Sequence, residues 1–150
     1  MTTLKQMISA QTRRMATLSP WIYRINAGSC NGCDVECATT ALIPRYDVER
    51  LGCQYCGSPR HADIVLITGP LTARVKDSVL RVYAEIPDPK VTVAVGVCPI
   101  SGGIFRDGYA VLAPISQYIP VDVNIPGCPP RPQAIIEGIA QAIQIWRERL

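Results

Sequence analysis

A chain of 150 residues, 48% apolar and 18% charged, is long enough for one real hydrophobic core and reads as a single globular unit. Its formal net charge of +3 is too small to argue for nucleic acid, and no apolar run reaches the ~18 residues that a spanning helix needs. Seven cysteines would leave one over from a complete intrachain disulfide set. With no secretory hydrophobic stretch at the start, the expectation is an intracellular chain whose thiols ligate a metal or cofactor.

Residues 3–18 predict a helix, with Leu4, Met7, Ile8, Thr12 and Met15 roughly on one face. Alone it would be marginal, so it reads as an N-terminal arm, residues 1–19, that packs on a partner. Lys5, Arg13, Arg14 and Arg24 all precede the first acidic residue. They make a solvated basic arm or one that docks on a membrane surface or an acidic partner. Pro20 closes the arm. Residues 21–26 predict the first strand, followed by a turn that carries Cys30 and Cys33. Residues 34–43 predict a helix stopped by Pro44, and residues 62–69 a strand so continuously apolar that both faces must be buried, as in a parallel sheet. Thr72 is placed to cap a helix over 73–86, with Val75, Val79, Val82 and Ile86 on one face. Residues 91–95 and 121–125 predict two more strands. They run into the loops Gly96-Val97-Cys98-Pro99 and Pro126-Gly127-Cys128-Pro129-Pro130. A helix over 132–149 closes the chain, with Pro132 in its first turn and Ile135, Ile136, Ile139, Ile143 and Trp146 on its apolar face. This alternation predicts a layered α/β domain with a mostly parallel sheet over residues 20–150.

Three cysteine sites share one context. Cys30/Cys33, Cys98 and Cys128 each lie just past the carboxyl end of a predicted strand, the edge where open parallel sheets build ligand sites. Four thiols distant in sequence can therefore meet, and four thiolates are what a [4Fe–4S] cube takes, one per iron. The prolines flanking Cys98 and Cys128 stiffen those loops. A local set competes: Cys30-x-x-Cys33 and Cys53-x-x-Cys56 have 19 residues between the pairs, within the range of zinc ribbons. It would leave Cys98 and Cys128 unexplained and would need a β-turn knuckle where residues 34–43 look helical.

Five stretches in order carry a resemblance: Ser29 to Glu36, Pro44 to Arg50, Gly57 to Ile64, Gly96 to Gly103 and Val121 to Pro132. Over residues 20–150 the chain resembles the proximal-cluster small subunit shared by respiratory complex I and the energy-converting [NiFe] hydrogenases. The resemblance implies a flavodoxin-like three-layer domain carrying one [4Fe–4S] cluster on Cys30, Cys33, Cys98 and Cys128. Complex I subunits typically carry adjacent cysteines at the first pair. Cys30-Asn31-Gly32-Cys33 instead matches the membrane-bound hydrogenase branch. That branch implies electrons arriving from a ferredoxin-like subunit with two [4Fe–4S] clusters and passing to a [NiFe]-hydrogenase-like large subunit, coupled to membrane-embedded ion-translocating subunits. The chain itself would be a non-catalytic electron-transfer subunit, peripheral on the cytoplasmic side of the membrane. The same role in a sulfane-sulfur or polysulfide reductase, or in a quinone oxidoreductase like complex I, is the near alternative; a zinc-stabilised scaffold is the distant one. Glu36 is read either as a solvated or helix-capping acid or as part of the proton movement linked to a nearby glutamate in relatives. His61 reads as structural, and Arg60 beside it as a possible hydrogen-bond donor near the large-subunit interface. Cys37, Cys53 and Cys56 depart from the family. They read as buried small hydrophobes, with a second metal site or a redox pair at Cys53/Cys56 as the alternative.

Overall fold

The computed structural model describes residues 19–150, so the predicted N-terminal helical arm lies outside the described residues. Five parallel strands form one sheet: β1 (Trp21–Asn26), β2 (Gln54–Tyr55), β3 (Ile64–Thr68), β4 (Val91–Val95) and β5 (Val123–Ile125). Their order is β2-β1-β3-β4-β5, the flavodoxin order. The expected α/β class is borne out, and the described sheet is wholly parallel. Among the described residues, four α-helices accompany it: α1 (Gly32–Leu42), α2 (Lys76–Ala84), α3 (Val97–Ser101) and α4 (Pro132–Arg149).

Alternation along the strands builds three layers. Ile64 and Leu66 of β3 face a core shared with Cys37 of α1 and with Ile135, Ile139 and Trp146 of α4. Val65 and Ile67 face the other way, onto Val79 of α2 and onto Ile115 and Ile119. All five residues of β3 and of β4 are buried, as a double-faced parallel strand requires. Helix α4 lies close because Gly138 presents no side chain; a Cβ there would stand 2.3 Å from Ile125 Cδ1.

Several boundaries differ from the sequence reading. Strand β2 was not expected: two residues give periodicity nothing to register. Helix α1 starts earlier, at Gly32, so Cys33 sits in its first turn rather than on a free turn. Thr72 caps nothing. It forms an antiparallel bridge with Val111, and α2 begins at Lys76 without a side-chain cap. Cys98 lies on the short helix α3, not in a loop. Pro99 is tolerated there because the first turn of a helix has no N–H partner to lose. Gly102 ends α3 in the left-handed region, its amide donating to the Cys98 carbonyl at 2.9 Å.

Candidate metal centre

The cysteine sites all fall at the carboxyl edge of the sheet. Cys30 and Cys33 follow β1, Cys98 follows β4 and Cys128 follows β5. Backbone bonds tie the last two segments together: the Gly96 amide donates to the Ile125 carbonyl at 2.8 Å and the Val97 amide to the Gly127 carbonyl at 2.9 Å. Gly96 (φ +89°) leaves room for the Cys33 thiol; a Cβ there would lie 2.6 Å from Cys33 Sγ. Gly32 lies beside Cys30 and Pro129, and Gly103 beside Cys98. At Gly96 the cradle is therefore lined by backbone where a side chain would intrude.

The thiols feel one another. Burial pushes the Cys33 thiol up to about 11, and Cys98, Cys30 and Cys128 add to it in that order, ahead of Asp34. Cys98 is raised by burial, then by Cys128 and Cys30. Four thiols so placed fit a group that takes four thiolates. The raised Cys33 and Cys98 thiols would be protonated at neutral pH until such a group binds, and its binding would release protons. Cys33 and Cys98 are buried, while Cys30 and Cys128 are exposed. Among the described residues, no three His, Cys, Asp or Glu side chains are arranged as ligands of a single ion. A cubane asks for a different spacing, because each thiolate meets its own iron at a separate corner.

The local zinc set does not converge. Cys53 joins the core on the α1/α4 side of the sheet, and Cys56 packs against the core on the α2 side. They flank the extended residues Gln54–Tyr55, and three positions along an extended chain is an odd step that reverses the face. Each thiol donates locally, Cys53 to the Val48 carbonyl at 3.3 Å and Cys56 to the Ser58 carbonyl at 3.4 Å. That geometry also removes a Cys53/Cys56 redox pair. Cys37, 1% exposed, is a core residue.

The sequence reading missed a polar brace behind Cys33. Asp34, 8% exposed, accepts hydrogen bonds from the Arg24 guanidinium, from Asn26 Nδ2 at 3.1 Å and from Thr68 Oγ1 at 2.8 Å. Asn26 Oδ1 in turn accepts the amides of Gly28 (2.9 Å) and Ser29 (2.8 Å), on the approach to Cys30. Asn26 and Thr68 are directly opposed across β1 and β3, where the strand order reverses. Polar residues ending two strands on the same sheet edge, with Arg24 two positions before one of them, are the signal that could have found them. Glu36 is half-buried on α1. His61 and Arg60 precede β3, at the end of the sheet away from the cysteines. His61 is exposed with its ring edge-on to Trp21 at 5.9 Å, and Arg60 pairs with Glu85.

Burial lifts Cys37 from near 9 to about 12, with Asp34 adding to it. A folded value above the unfolded one means stability present below pH 9 and lost as pH rises toward 12. Urea unfolding from pH 8 to 11 should therefore show Cys37→Ala losing stability less steeply than the wild type. The two slopes should differ by up to ~1.4 kcal/mol per pH unit above pH 9.

The parallel α/β domain on whose carboxyl edge these thiols gather has a fold also found in hydrogenases. An NAD+-reducing [NiFe]-hydrogenase chain superposes with a TM-score of 0.62 at 21% identity, over 84% of this chain and 92% of that one. Residues 30–142 match the family described as NADH ubiquinone oxidoreductase, 20 Kd subunit, and the chain belongs to that family. It is 50% identical over 135 residues to the protein named probable membrane-bound hydrogenase subunit mbhJ of Pyrococcus furiosus, covering 90% of this chain and 80% of that one. It is 44% identical to formate hydrogenlyase subunit 7 of Escherichia coli over 88% of its own length and 51% of that protein. It is also similar to a chain of the archaeal membrane-bound sulfane sulfur reductase, with a TM-score of 0.77 and 37% identity, over 92% of this chain and 76% of that one.

Proposed function

We propose that the chain carries one [4Fe–4S] cluster on Cys30, Cys33, Cys98 and Cys128 and is the electron-transfer subunit of a membrane-bound hydrogenase complex. Its donor is a ferredoxin-like subunit with two [4Fe–4S] clusters, and its acceptor is a [NiFe]-hydrogenase-like large subunit. Membrane-embedded subunits couple the transfer to ion translocation, and the chain sits peripherally on the cytoplasmic face. No described helix is long and apolar enough to cross a membrane, so partner subunits hold it there. The observation that carries the reading is the convergence of Cys98, Cys30 and Cys128 on Cys33. A [4Fe–4S] cluster bound there supplies reversible one-electron transfer. The chain's own residues hold four thiols at fixed positions, bury two of them, and brace the first pair through Asp34.

The surface beside the thiols suits a protein partner. A groove of about 610 Å3 runs along α1 past Arg24, Asp34, Val35, Ala38 and Leu42. Val35 and Leu42 are 63% and 78% exposed, and apolar side chains contiguous with a functional centre mark interaction surfaces.

The test is iron, sulfide, zinc and nickel content of the anaerobically purified complex, with a low-temperature EPR spectrum after dithionite reduction. About four irons and four sulfides per copy of this chain, beyond those of the donor subunit's two clusters, and a reduced cubane signal that Cys98→Ala removes are expected. Zinc in place of iron would overturn the reading. The likeness to the sulfane sulfur reductase chain favours a second reading, the same wire in a sulfur-reducing complex. Nickel with hydrogen evolution supports the first; polysulfide reduction without nickel supports the second.

A further inference from the structure

We infer that the ion pair of Asp34 and Arg24 sets the reduction potential of the cluster held by Cys33, Asp34 pulling it down and Arg24 pushing it up. The inference rests on the cluster assignment above and gives it a residue-level control. Asp34 follows a ligand thiol directly in sequence and is nearly sealed from water, whereas its side-chain partner Arg24 is 41% exposed. A charge held in low dielectric acts strongly on a neighbour, while the field of an exposed one is screened. The carboxylate cannot swing away. Thr68 Oγ1 fixes Oδ1 at 2.8 Å and Asn26 Nδ2 fixes Oδ2 at 3.1 Å, from two strands whose register is locked.

Its field already reaches the thiols. Behind burial and the other cysteines, Asp34 raises Cys33; behind burial alone, it raises Cys37. Adding an electron makes the cluster and its thiolates more negative, so a fixed anion disfavours the reduced state and a fixed cation favours it. Arg24 lies on the open side of the pair and lines the groove along α1. A partner that fills that groove removes water from the guanidinium and strengthens its field. Docking and potential are thereby connected through one side chain.

The test is an EPR-monitored potentiometric measurement on the intact complex, with iron and sulfide assayed in each variant. Asp34→Asn should move the midpoint upward, Arg24→Gln downward, and the double variant should lie between them. Arg24→Lys, which keeps the charge, should stay nearer the wild type than Arg24→Gln. A merely structural brace would lower cluster content and leave the midpoint of the loaded fraction where it was; that result overturns the inference. So do two single variants that shift in the same direction. If Asp34→Asn assembles without iron, the sign and the lysine rescue at Arg24 decide the question alone. Absence of iron from this subunit, isolated anaerobically from the wild-type complex, would sink the cluster assignment itself, and this inference with it, a failure visible before any variant is made.

Discussion

Replacing Cys98 or Cys128 with alanine is expected to empty the centre. The two positions are the most informative because they are local to nothing: 29 residues lie between them in sequence, and each is separated further from Cys30 and Cys33. Only the sheet edge brings them together. Losing an outer-shell partner of a metal site typically costs 10–100-fold, so losing a direct ligand should lower electron throughput by more than about 100-fold. Iron and sulfide should fall together by about four each per copy of this chain, and this cluster's reduced signal should vanish while those of the donor subunit stay. The folded domain should survive Cys128→Ala, because that thiol is exposed and its removal opens no cavity. Circular dichroism of the variant chain would check this. The contrasting pair is Cys53→Ser and Cys56→Ser. Their thiols lie on opposite faces of the sheet, so neither change should alter iron content. Iron retained in Cys98→Ala but lost in Cys53→Ser would reverse the assignment and restore a local ligand set.

The same contrast explains which parts of the site were legible in the sequence. Cys-x-x-Cys is ambiguous because its meaning depends on the backbone beneath it. At Cys30/Cys33 the second cysteine enters helix α1 and both thiols stay at the strand end. At Cys53/Cys56 the backbone between is extended and the thiols part. Identical spacing thus gives opposite outcomes, and a two-residue strand is too short to announce itself. Strands β3 and β4 were legible because each is a nearly continuous apolar run, bounded by Gly69-Pro70 and by Gly96. Helix α4 was legible because five apolar residues recur at helical spacing behind a proline. Helix α3 was hidden, because a stretch of glycine, cysteine and proline reads as a loop. It is helical through Gly102, whose left-handed conformation closes the last turn. The brace at Asp34 was hidden for another reason. It depends on Asn26 standing opposite Thr68, a register that two strands acquire only once they pair.

Gly96→Ala should damage both the fold and the centre, whereas Gly32→Ala should damage neither severely. Gly96 holds φ at +89° with ψ at 166°, a conformation essentially reserved for glycine that costs another residue about 1–3 kcal/mol. The new Cβ would also stand 2.6 Å from Cys33 Sγ and 3.3 Å from the Gly127 carbonyl. Relief by moving the backbone is blocked, because the amides of Gly96 and Val97 are both committed to the β5 side, at Ile125 and Gly127. Overpacking of this kind adds about 1–3 kcal/mol. The two costs together predict a loss of about 2–6 kcal/mol in urea unfolding, with iron content falling because the Cys33 thiol must give way. At Gly32 the added Cβ would meet Cys30 Sγ at 3.6 Å and Pro129 at 3.8 Å, ordinary van der Waals contacts. Gly32 is also the first residue of α1, where alanine fits helical backbone better than glycine. That variant should keep its iron and lie within about 1 kcal/mol of the wild type. The pair separates crowding at one thiol from a general intolerance of larger side chains around the cysteines. Full iron and unchanged unfolding in Gly96→Ala would mean that the Cys33 thiol is not held where the cradle needs it.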